Sequence, residues 1–257
     1  WFPVYVFRHL GVSLNLRVID RRYGALHSDH IHKNLVEGPI AMAWAKIPTS
    51  WIRSKSKLLD FTWRKNKSDA TAALIILMAL AIRLNQKNQS GKQHKFVSVS
   101  YDDLQLFTGL SRIKVSAALR LLEAAGILTI RRHKRTNRYM MNDILKAGCW
   151  AQLPQTHLVQ NGTLVFAKFQ LRHRNELNAL KLYLLLVAYR NAHGNFTAIG
   201  YDRICEISGL LRNDVMSACA LLINFELITV EEHDTIAHTA GRPHKRYRIC
   251  GLDKLSR

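Results

Sequence analysis

Positive charge is concentrated in a few short segments of this 257-residue chain. The densest of them, Arg131–Arg138, reads RRHKRTNR and contains no acid. Over the whole chain, 38 Lys and Arg residues stand against 18 Asp and Glu residues, which gives a formal net charge of +20. Lysine and arginine bind phosphate oxygens, and a chain this basic is typical of proteins with a polyanionic partner. We expect that partner to be nucleic acid rather than a membrane surface or an acidic protein.

A second basic segment, Lys46–Lys67, precedes the longest apolar stretch. Trp51 and Trp63 are interleaved with its cations, and Asp60 is its only acid. Basic residues among aromatic ones can form a nucleic-acid surface, but aromatic residues in an amphipathic segment more often pack in a core. We therefore assign both tryptophans to packing. We expect the cations of the segment to steer phosphate; these are Arg53, Lys55, Lys57, Arg64, Lys65 and Lys67.

Residue patterns for catalysis or metal binding are sparse. The sequence HSDHIH brings together His27, Asp29, His30 and His32, whose side chains suit zinc, but no complementary pair of Cys or His follows it. The four cysteines lie far apart without a C-x-x-C pair, which favours free thiols in a reducing compartment. A glycine-rich phosphate loop and a G-x-S-x-G motif are both missing from the sequence. We expect no metal, no cofactor and no enzymatic activity.

The chain contains an internal repeat. Phe96–Ile130 aligns with Phe196–Val230 at an offset of 100 residues. Identical pairs include Phe96/Phe196, Tyr101/Tyr201, Asp102/Asp202, Gly109/Gly209, Leu110/Leu210, Arg112/Arg212 and Val115/Val215. The offset is 106 for the preceding segment Ala73–Asn85 and 108 for the following dipeptide Arg138-Tyr139. Changes of offset belong in surface loops, so the sequence predicts two copies of one folding unit, the first and second repeats.

Each repeat is predicted to begin with a long apolar helix. The first spans about Asp69–Asn88 and the second about Glu176–Ala192, with Ser68 and Asn175 as N-caps. A short β-rich stretch follows each helix.

Two shorter helices and a β-hairpin complete each repeat. The first of these helices ends at Gly109 or Gly209, where glycine suits a left-handed C-terminal residue. The next helix spans 111–124 or 212–223 and carries a one-sided apolar stripe. Gly126 closes it in the first repeat, and Glu226 takes the equivalent place in the second.

This order of elements resembles a winged helix-turn-helix. Tyr101–Leu122 and Tyr201–Leu222 resemble the helix-turn-helix of bacterial and phage winged-helix proteins, and Thr108–Arg112 (TGLSR) resembles the turn of that family. The second repeat departs from the pattern at Leu211. Two such units in one chain, each behind a long helix, are similar to plasmid replication initiators of the tandem winged-helix kind. The resemblance implies a mainly α fold with small β-hairpins, arranged as two tandem winged helix-turn-helix domains.

The second helix of a helix-turn-helix places its N-terminal part in the major groove of DNA. The resemblance therefore assigns DNA contacts to Ser111, Arg112, Lys114 and Arg120 in the first repeat, and to Arg212 and Asn213 in the second. Arginine and lysine pair with guanine, and asparagine pairs with adenine. Asp214 makes the second face less basic, although its carboxylate could accept from cytosine. We expect the second unit to bind more weakly or with different specificity, or to hold a protein partner.

The hairpin of this fold lies beside the DNA backbone or the minor groove. In the first repeat it supplies Arg131, Arg132, His133, Lys134, Arg135, Asn137 and Arg138, and in the second Arg242, His244, Lys245 and Arg246. The sequence Gly241-Arg242-Pro243 could place Arg242 in a narrow minor groove. Glu231 and Glu232 would repel phosphate, so the second hairpin is expected to contact DNA only at its tip.

The expected organisation has four regions. An N-terminal segment of unknown fold (1–45) precedes the first winged-helix domain (46–141), a linker (142–164) and the second winged-helix domain (165–257). The most apolar run, Ala72–Ile82, is 11 residues long, and a membrane-spanning helix needs about 20. We therefore expect a cytoplasmic protein of a bacterial cell that does not bind membranes.

The expected partner is double-stranded DNA, and a protein partner or a homodimer stays open. Initiation of plasmid or phage replication is the most specific role that the resemblance implies. Transcriptional regulation is one alternative. The other is a subunit of a larger nucleoprotein complex that uses one winged helix for protein contacts.

Overall fold

Helices joined by small antiparallel sheets make up the described part of the chain. The computed structural model describes residues 43–53, 57–88, 94–132, 136–231 and 245–252. The first half contains, in chain order, β1 (Ala45–Pro48), α1 (Ser50–Arg53), a 3-10 helix (Lys57–Asp60), α2 (Trp63–Asn66), α3 (Ser68–Asn88), β2 (Val97–Val99), α4 (Tyr101–Thr108), α5 (Arg112–Ala124), β3 (Leu128–Arg131) and β4 (Asn137–Met141).

The second half repeats the later part of this order. Its elements are β5 (Trp150–Leu153), α6 (Gln155–Leu158), β6 (Val159–Gln160), β7 (Thr163–Leu164), a 3-10 helix (Val165–Lys168), α7 (Arg174–Tyr189), β8 (Phe196–Ala198), α8 (Tyr201–Ser208), α9 (Arg212–Asn224), β9 (Ile228–Glu231) and β10 (Arg246–Ile249). The expectation of a mainly helical chain with small β-hairpins is confirmed at this level.

The two long helices α3 and α7 form the centre of the core. Both are apolar on nearly every side, which is the pattern of a helix enclosed by protein. Side chains from Ala70 to Ile82 in α3 and from Leu177 to Ala188 in α7 are buried almost throughout, and the two helices contact each other. By length and composition alone α3 could cross a membrane, because the 11-residue apolar run is the middle of a 21-residue helix. Within the structure, however, 83% of the most apolar 18-residue stretch of this helix is buried by the rest of the protein.

The turn between the two shorter helices is the same in both repeats. Gly109 and Gly209 adopt left-handed backbone conformations with φ of 71° and 68°, and each donates its N–H to the carbonyl four residues earlier. This is the C-terminal glycine that the sequence predicts. The end of the following helix also matches, because Gly126 and its counterpart Glu226 both have positive φ, of 65° and 56°. An L-residue rarely adopts this conformation, so the fold imposes it on Glu226.

A three-stranded antiparallel sheet closes each repeat. The strand orders are β2-β4-β3 and β8-β10-β9, so the strand that precedes the two short helices pairs with the last strand of the hairpin. The buried tyrosines Tyr139 and Tyr247 lie at the centre of these sheets. Each sheet packs directly against the core helix of its repeat.

Three predicted boundaries of the long helices are wrong: the start of α3 by one residue, the start of α7 by two residues and the end of α7 by three residues. The helix α7 begins at Arg174 and ends at Tyr189, rather than spanning Glu176–Ala192. Asn175 is therefore not its N-cap; the amide of Asn175 donates to the Ser217 carbonyl of α9 at 3.3 Å. Ser68 is the first residue of α3 rather than the residue before it.

A two-stranded sheet links the core helices of the two repeats, because β1 packs on α3 and β5 packs on α7. The strand β5 lies in the segment expected to be a linker, and it pairs antiparallel with β1, which precedes the first repeat's helices. Trp44 and Trp150 stack across this sheet with ring centroids 5.9 Å apart. The buried ammonium of Lys181 in α7 donates to the carbonyl of Phe61 at 3.0 Å.

The buried Lys181 predicts a pH-dependent stability. Its side chain is 3% exposed, and burial lowers its pKa to about 8. The unfolded chain binds this proton up to the ordinary lysine pKa near 10.5. Burial of the charged Lys181 ammonium therefore lowers the free energy of unfolding by about 3 kcal/mol below pH 8. This loss disappears as the pH rises from 8 to about 10.5, because the lysine is then neutral in the folded and the unfolded chain.

Urea unfolding of the wild type and of Lys181→Met between pH 7 and pH 10.5 measures this contribution. The free energy of unfolding of the wild type should rise relative to the variant as the pH increases through that window. The lost hydrogen bond to Phe61 adds only a constant difference. A difference between the two proteins that stays the same from pH 7 to pH 10.5 would contradict the assignment.

Candidate nucleic-acid interface

The helix α5 presents an exposed N-terminal half. Ser111 caps it by accepting from the Lys114 backbone N–H at 3.4 Å, and the preceding helix α4 begins with a reciprocal capping box between Ser100 and Asp103. Ile113 is 79% exposed, and Arg120 is exposed two residues beyond the middle of the helix. Leu211, the counterpart of Ser111, makes no side-chain cap for α9. The turn geometry is nevertheless kept.

Arg112 and Arg212 occupy the same local environment in the two repeats. Arg112 forms an ion pair with Asp102 at 2.9 Å and lies over the ring of Tyr101 at 5.3 Å. The corresponding contacts of Arg212 are 2.6 Å to Asp202 and 5.9 Å to Tyr201. The hydrogen bond and charge of Asp202 raise the pKa of Arg212.

These two arginine pairs are exposed to solvent. The side chains of Arg112 and Asp102 are 66% and 82% exposed. Pairs of this kind contribute little to stability and exchange readily. The ion pair thus orients each arginine at the start of its helix but binds it only weakly.

Lys114 and Asp214 bind the start of the core helix instead of facing outward. The Lys114 ammonium donates to Ser68 at 2.6 Å and to Asp69 at 2.7 Å. In the second repeat the charges are inverted, because the Asp214 carboxylate accepts from Arg174 at 2.6 Å. Both pairs fix the N-terminal part of α5 or α9 on the N-terminus of α3 or α7. Sequence reasoning assigned Lys114 to base contacts and did not find either pair.

A cleft beside α5 brings together cations from two predicted groups. It has a volume of about 460 Å³ and is lined by Lys65, Lys67 and Arg120, among other residues. Lys65 and Lys67 were expected to steer phosphate and Arg120 to contact DNA from the helix. Residue 220, the counterpart of Arg120 at the offset of 100, is an alanine. The basic cleft is therefore a feature of the first repeat.

Two of the predicted phosphate-steering cations bind backbone carbonyls of the protein itself. The guanidinium of Arg53 donates to the carbonyl of Ala188 near the end of α7 and to that of Gly148 at 3.2 Å. The ammonium of Lys57 donates to the carbonyl of Ala125 at the end of α5. Cations in these positions satisfy orphan carbonyls and complement the helix dipole. Arg64 is exposed beside Lys65, whereas Lys55 lies outside the described residues.

The hairpin residues of the first repeat form an exposed basic face. Arg131 and Arg138 are exposed and lie directly opposite each other on β3 and β4. The guanidinium of Arg138 lies over the ring of Phe96 at 4.9 Å. Arg132 is exposed next to Arg131, and the half-buried Asn137 donates to the Tyr139 hydroxyl at 3.4 Å. The predicted contacts His133, Lys134 and Arg135 lie outside the described residues.

The second sheet is partly neutralised by an acid. Arg248 forms an ion pair with Glu231 at 2.6 Å, and Glu231 lies opposite Arg246 in the sheet. Arg246 lies over Phe196 at 4.8 Å, as Arg138 lies over Phe96, and Lys245 lies over Tyr201 at 5.7 Å. The predicted tip residues Arg242 and His244 lie outside the described residues.

The described residues contain no group of three or more His, Cys, Asp or Glu side chains that could hold a metal ion. The histidine-rich segment His27–His32 lies outside them. All four cysteines are described and half-buried, and none forms a disulfide. Trp51 is buried and Trp63 packs against the core, as the sequence predicts.

No protein-family model matches this chain, and no curated protein is significantly similar to it. Function must therefore be inferred from the residues and their placement.

The inverted ion pairs predict a compensating double substitution. In Asp214→Lys an ammonium meets the guanidinium of Arg174, and the free energy of unfolding should fall by about 1 kcal/mol. Adding Arg174→Asp restores the pair in the orientation of the first repeat and should recover most of the loss. Urea unfolding of the four proteins in a double-mutant cycle measures the coupling.

Glu206→Lys is the matched control, because it places a second positive charge next to Arg203 in an exposed ion pair on α8. This change should cost less, since both side chains of that pair are more than half exposed whereas Asp214 is 18% exposed. Additive effects of Asp214→Lys and Arg174→Asp would refute the pairing.

Proposed function

We propose that this protein binds double-stranded DNA through two winged helix-turn-helix domains, residues 46–141 and 165–257. The observation that carries the proposal is the repeated placement of an exposed helix, α5 or α9, after a left-handed glycine turn and beside a small sheet. A helix held in this way can enter the major groove with its N-terminal residues. The net charge of +20 supports a polyanionic partner.

The strand pairing supports the winged-helix interpretation of each repeat. In both repeats the strand before α4 or α8 pairs with the last strand of the hairpin, which sets the hairpin next to the exposed helix. The hairpin and the helix then contact one duplex together, the helix at base edges and the hairpin at the backbone.

The two domains contribute different contacts to the proposed binding. The first carries most of the outward cations, at Arg112, Arg120, Arg131 and Arg138, together with the basic cleft beside α5. These residues neutralise phosphates. The second exposes Asn213, Leu211 and Met216 on α9, which suit adenine and the thymine methyl group.

Initiation of plasmid or phage replication is the role we propose for this binding. Support comes from the resemblance of the tandem repeats to such initiators and from the contacts that join the repeats, between α3 and α7 directly and through the sheet of β1 and β5, which contacts both helices. Two helices held in one body read two half-sites at a fixed spacing, about 10 bp on one face of the duplex. Selection from a randomised 30-bp duplex pool at about 150 mM salt tests for such a site.

Arg120 should act through phosphate. We expect Arg120→Ala to weaken binding to every duplex and to reduce the slope of log K against log salt by about 0.9, because one fewer counterion is released. The selected sequence should not change. Lys146→Ala is the charge-matched control, since Lys146 is exposed, is paired with Asp143 and does not line the cleft that holds Arg120; it should leave the salt slope unchanged. Equal slopes for the wild type and Arg120→Ala would remove Arg120 from the interface.

A protein-contact role for the second domain is the second candidate function. It is favoured by the exposed apolar side chains of Leu211 and Met216, 67% and 55% exposed, beside charges that are already paired. Under this candidate, Arg212→Ala leaves the duplex affinity unchanged, whereas Arg112→Ala combined with Arg131→Ala abolishes binding. Under the two-domain proposal, Arg212→Ala costs about 1–3 kcal/mol of binding free energy and relaxes specificity in one half-site. Electrophoretic mobility shift on the selected duplex separates the two.

A further inference from the structure

The outer face of the first sheet contains a feature that duplex binding does not require. A cleft of about 210 Å³ is lined by Lys95, Phe96, Arg131, Arg138 and Met140. Its floor is made by the phenyl and thioether side chains, and its rim carries one lysine and two arginines. A site that is apolar inside and cationic at its edge fits a ligand with a flat apolar part and an anionic part.

The arrangement of charge on this face also points to an anionic ligand. Arg131 and Arg138 are Cα partners across β3 and β4, and like charges placed opposite each other destabilise a sheet. No described acid forms an ion pair with either of them. A phosphate bound between the two guanidinium groups would remove this repulsion.

An aromatic platform lies next to the charges. The Phe96 ring is half-buried, with the Lys87 ammonium 4.5 Å and the Arg138 guanidinium 4.9 Å from its centroid. Arg138 adds a planar guanidinium next to this ring. Bases stack both on aromatic rings and on arginine planes, whatever their sequence.

We infer that the outer face of the first sheet binds single-stranded nucleic acid, with one unpaired base in the cleft and its phosphates on Arg131 and Arg138. A duplex cannot supply this base, because its bases are paired and stacked inside the helix. The cleft thus makes the face selective for single strands over duplex, whereas the cations alone would bind both. The inference depends only on the first sheet and does not require duplex binding by α5 or α9.

The second repeat provides a natural comparison. At the equivalent positions Asn195 replaces Lys95, Glu231 replaces Arg131 and Arg248 replaces Met140. Asn195 is buried, and Glu231 pairs with Arg248, so the rim of this face is partly neutralised and an arginine stands where the first repeat has the thioether of its apolar floor. Phe196 keeps its position under Arg246. The second sheet should therefore not bind a single strand.

The test compares Phe96→Leu with Phe196→Leu in the full chain. Fluorescence anisotropy with a labelled 20-nucleotide oligo(dT) and with a 20-bp duplex gives the two affinities. We expect Phe96→Leu to weaken oligo(dT) binding about tenfold, because a stacking contact is lost, and to change duplex binding less than twofold. Phe196→Leu should leave both affinities within twofold of the wild type. Phe96→Tyr, which keeps the aromatic ring, should restore oligo(dT) binding.

Each other outcome has a defined meaning. Equal effects of the two leucine variants on oligo(dT), or equal losses for oligo(dT) and duplex in Phe96→Leu, would overturn the inference. So would displacement of oligo(dT) by oligoglutamate at equal charge, because the face would then recognise charge alone. If Phe96→Leu does not fold, as judged by its thermal melt, Met140→Gln is used, because Met140 lines the cleft and has no assigned part in duplex binding, and the ratio of oligo(dT) to duplex affinity must fall. Phe96-dependent oligo(dT) binding without any duplex binding would refute the proposed function and leave this inference standing.

Discussion

The burial of α3 and α7 is the constraint on which the rest of the structure depends. Neither helix has a polar side that could face water, so each must be covered by its own repeat and by the other helix. Each buried leucine or isoleucine contributes about 1.5–3 kcal/mol relative to exposure, so the burial of these two helices, mostly against α5 and α9 and also against each other, is a large source of stability. The two repeats therefore share one core. The exposed helices take their orientation from it, because Lys114 and Asp214 fix α5 and α9 to the N-termini of the buried pair.

Much of this architecture could be predicted from the sequence, because duplication shows which features the fold requires. A residue that recurs at the offset of 100 in two otherwise divergent segments has a structural reason, and Gly109 with Gly209 is the clearest case. The length and apolar character of the core helices also follow from pattern alone. The ends of α7 did not, because His173 makes no side-chain cap and the helix stops at Tyr189 without a glycine.

The roles of individual cations could not be predicted to the same extent. Phosphate oxygens, carboxylates and the free carbonyls at a helix C-terminus all accept hydrogen bonds from arginine and lysine, so a basic segment does not specify its acceptor. Arg53 and Lys57 bind carbonyls, and Lys114 binds a carboxylate 45 residues away. The ion pair of Lys114 could be predicted only by comparing the two repeats, since Asp214 occupies the equivalent position with the opposite charge. An inverted charge at a repeated position indicates a partner that has inverted too.

The unequal charge of the repeats has a consequence for the proposed binding to DNA. Two domains with the same backbone could engage one duplex in two orientations, related by exchanging the domains. Phosphate contacts alone would not distinguish these orientations, because the backbone carries no sequence information. Ala220 and Glu231 of the second repeat stand where the first repeat has Arg120 and Arg131, so under the proposed function the first repeat would bind the backbone more strongly. Phosphate contacts would then anchor one domain, and the base preferences of α5 and α9 would set the direction in which the chain lies along its site.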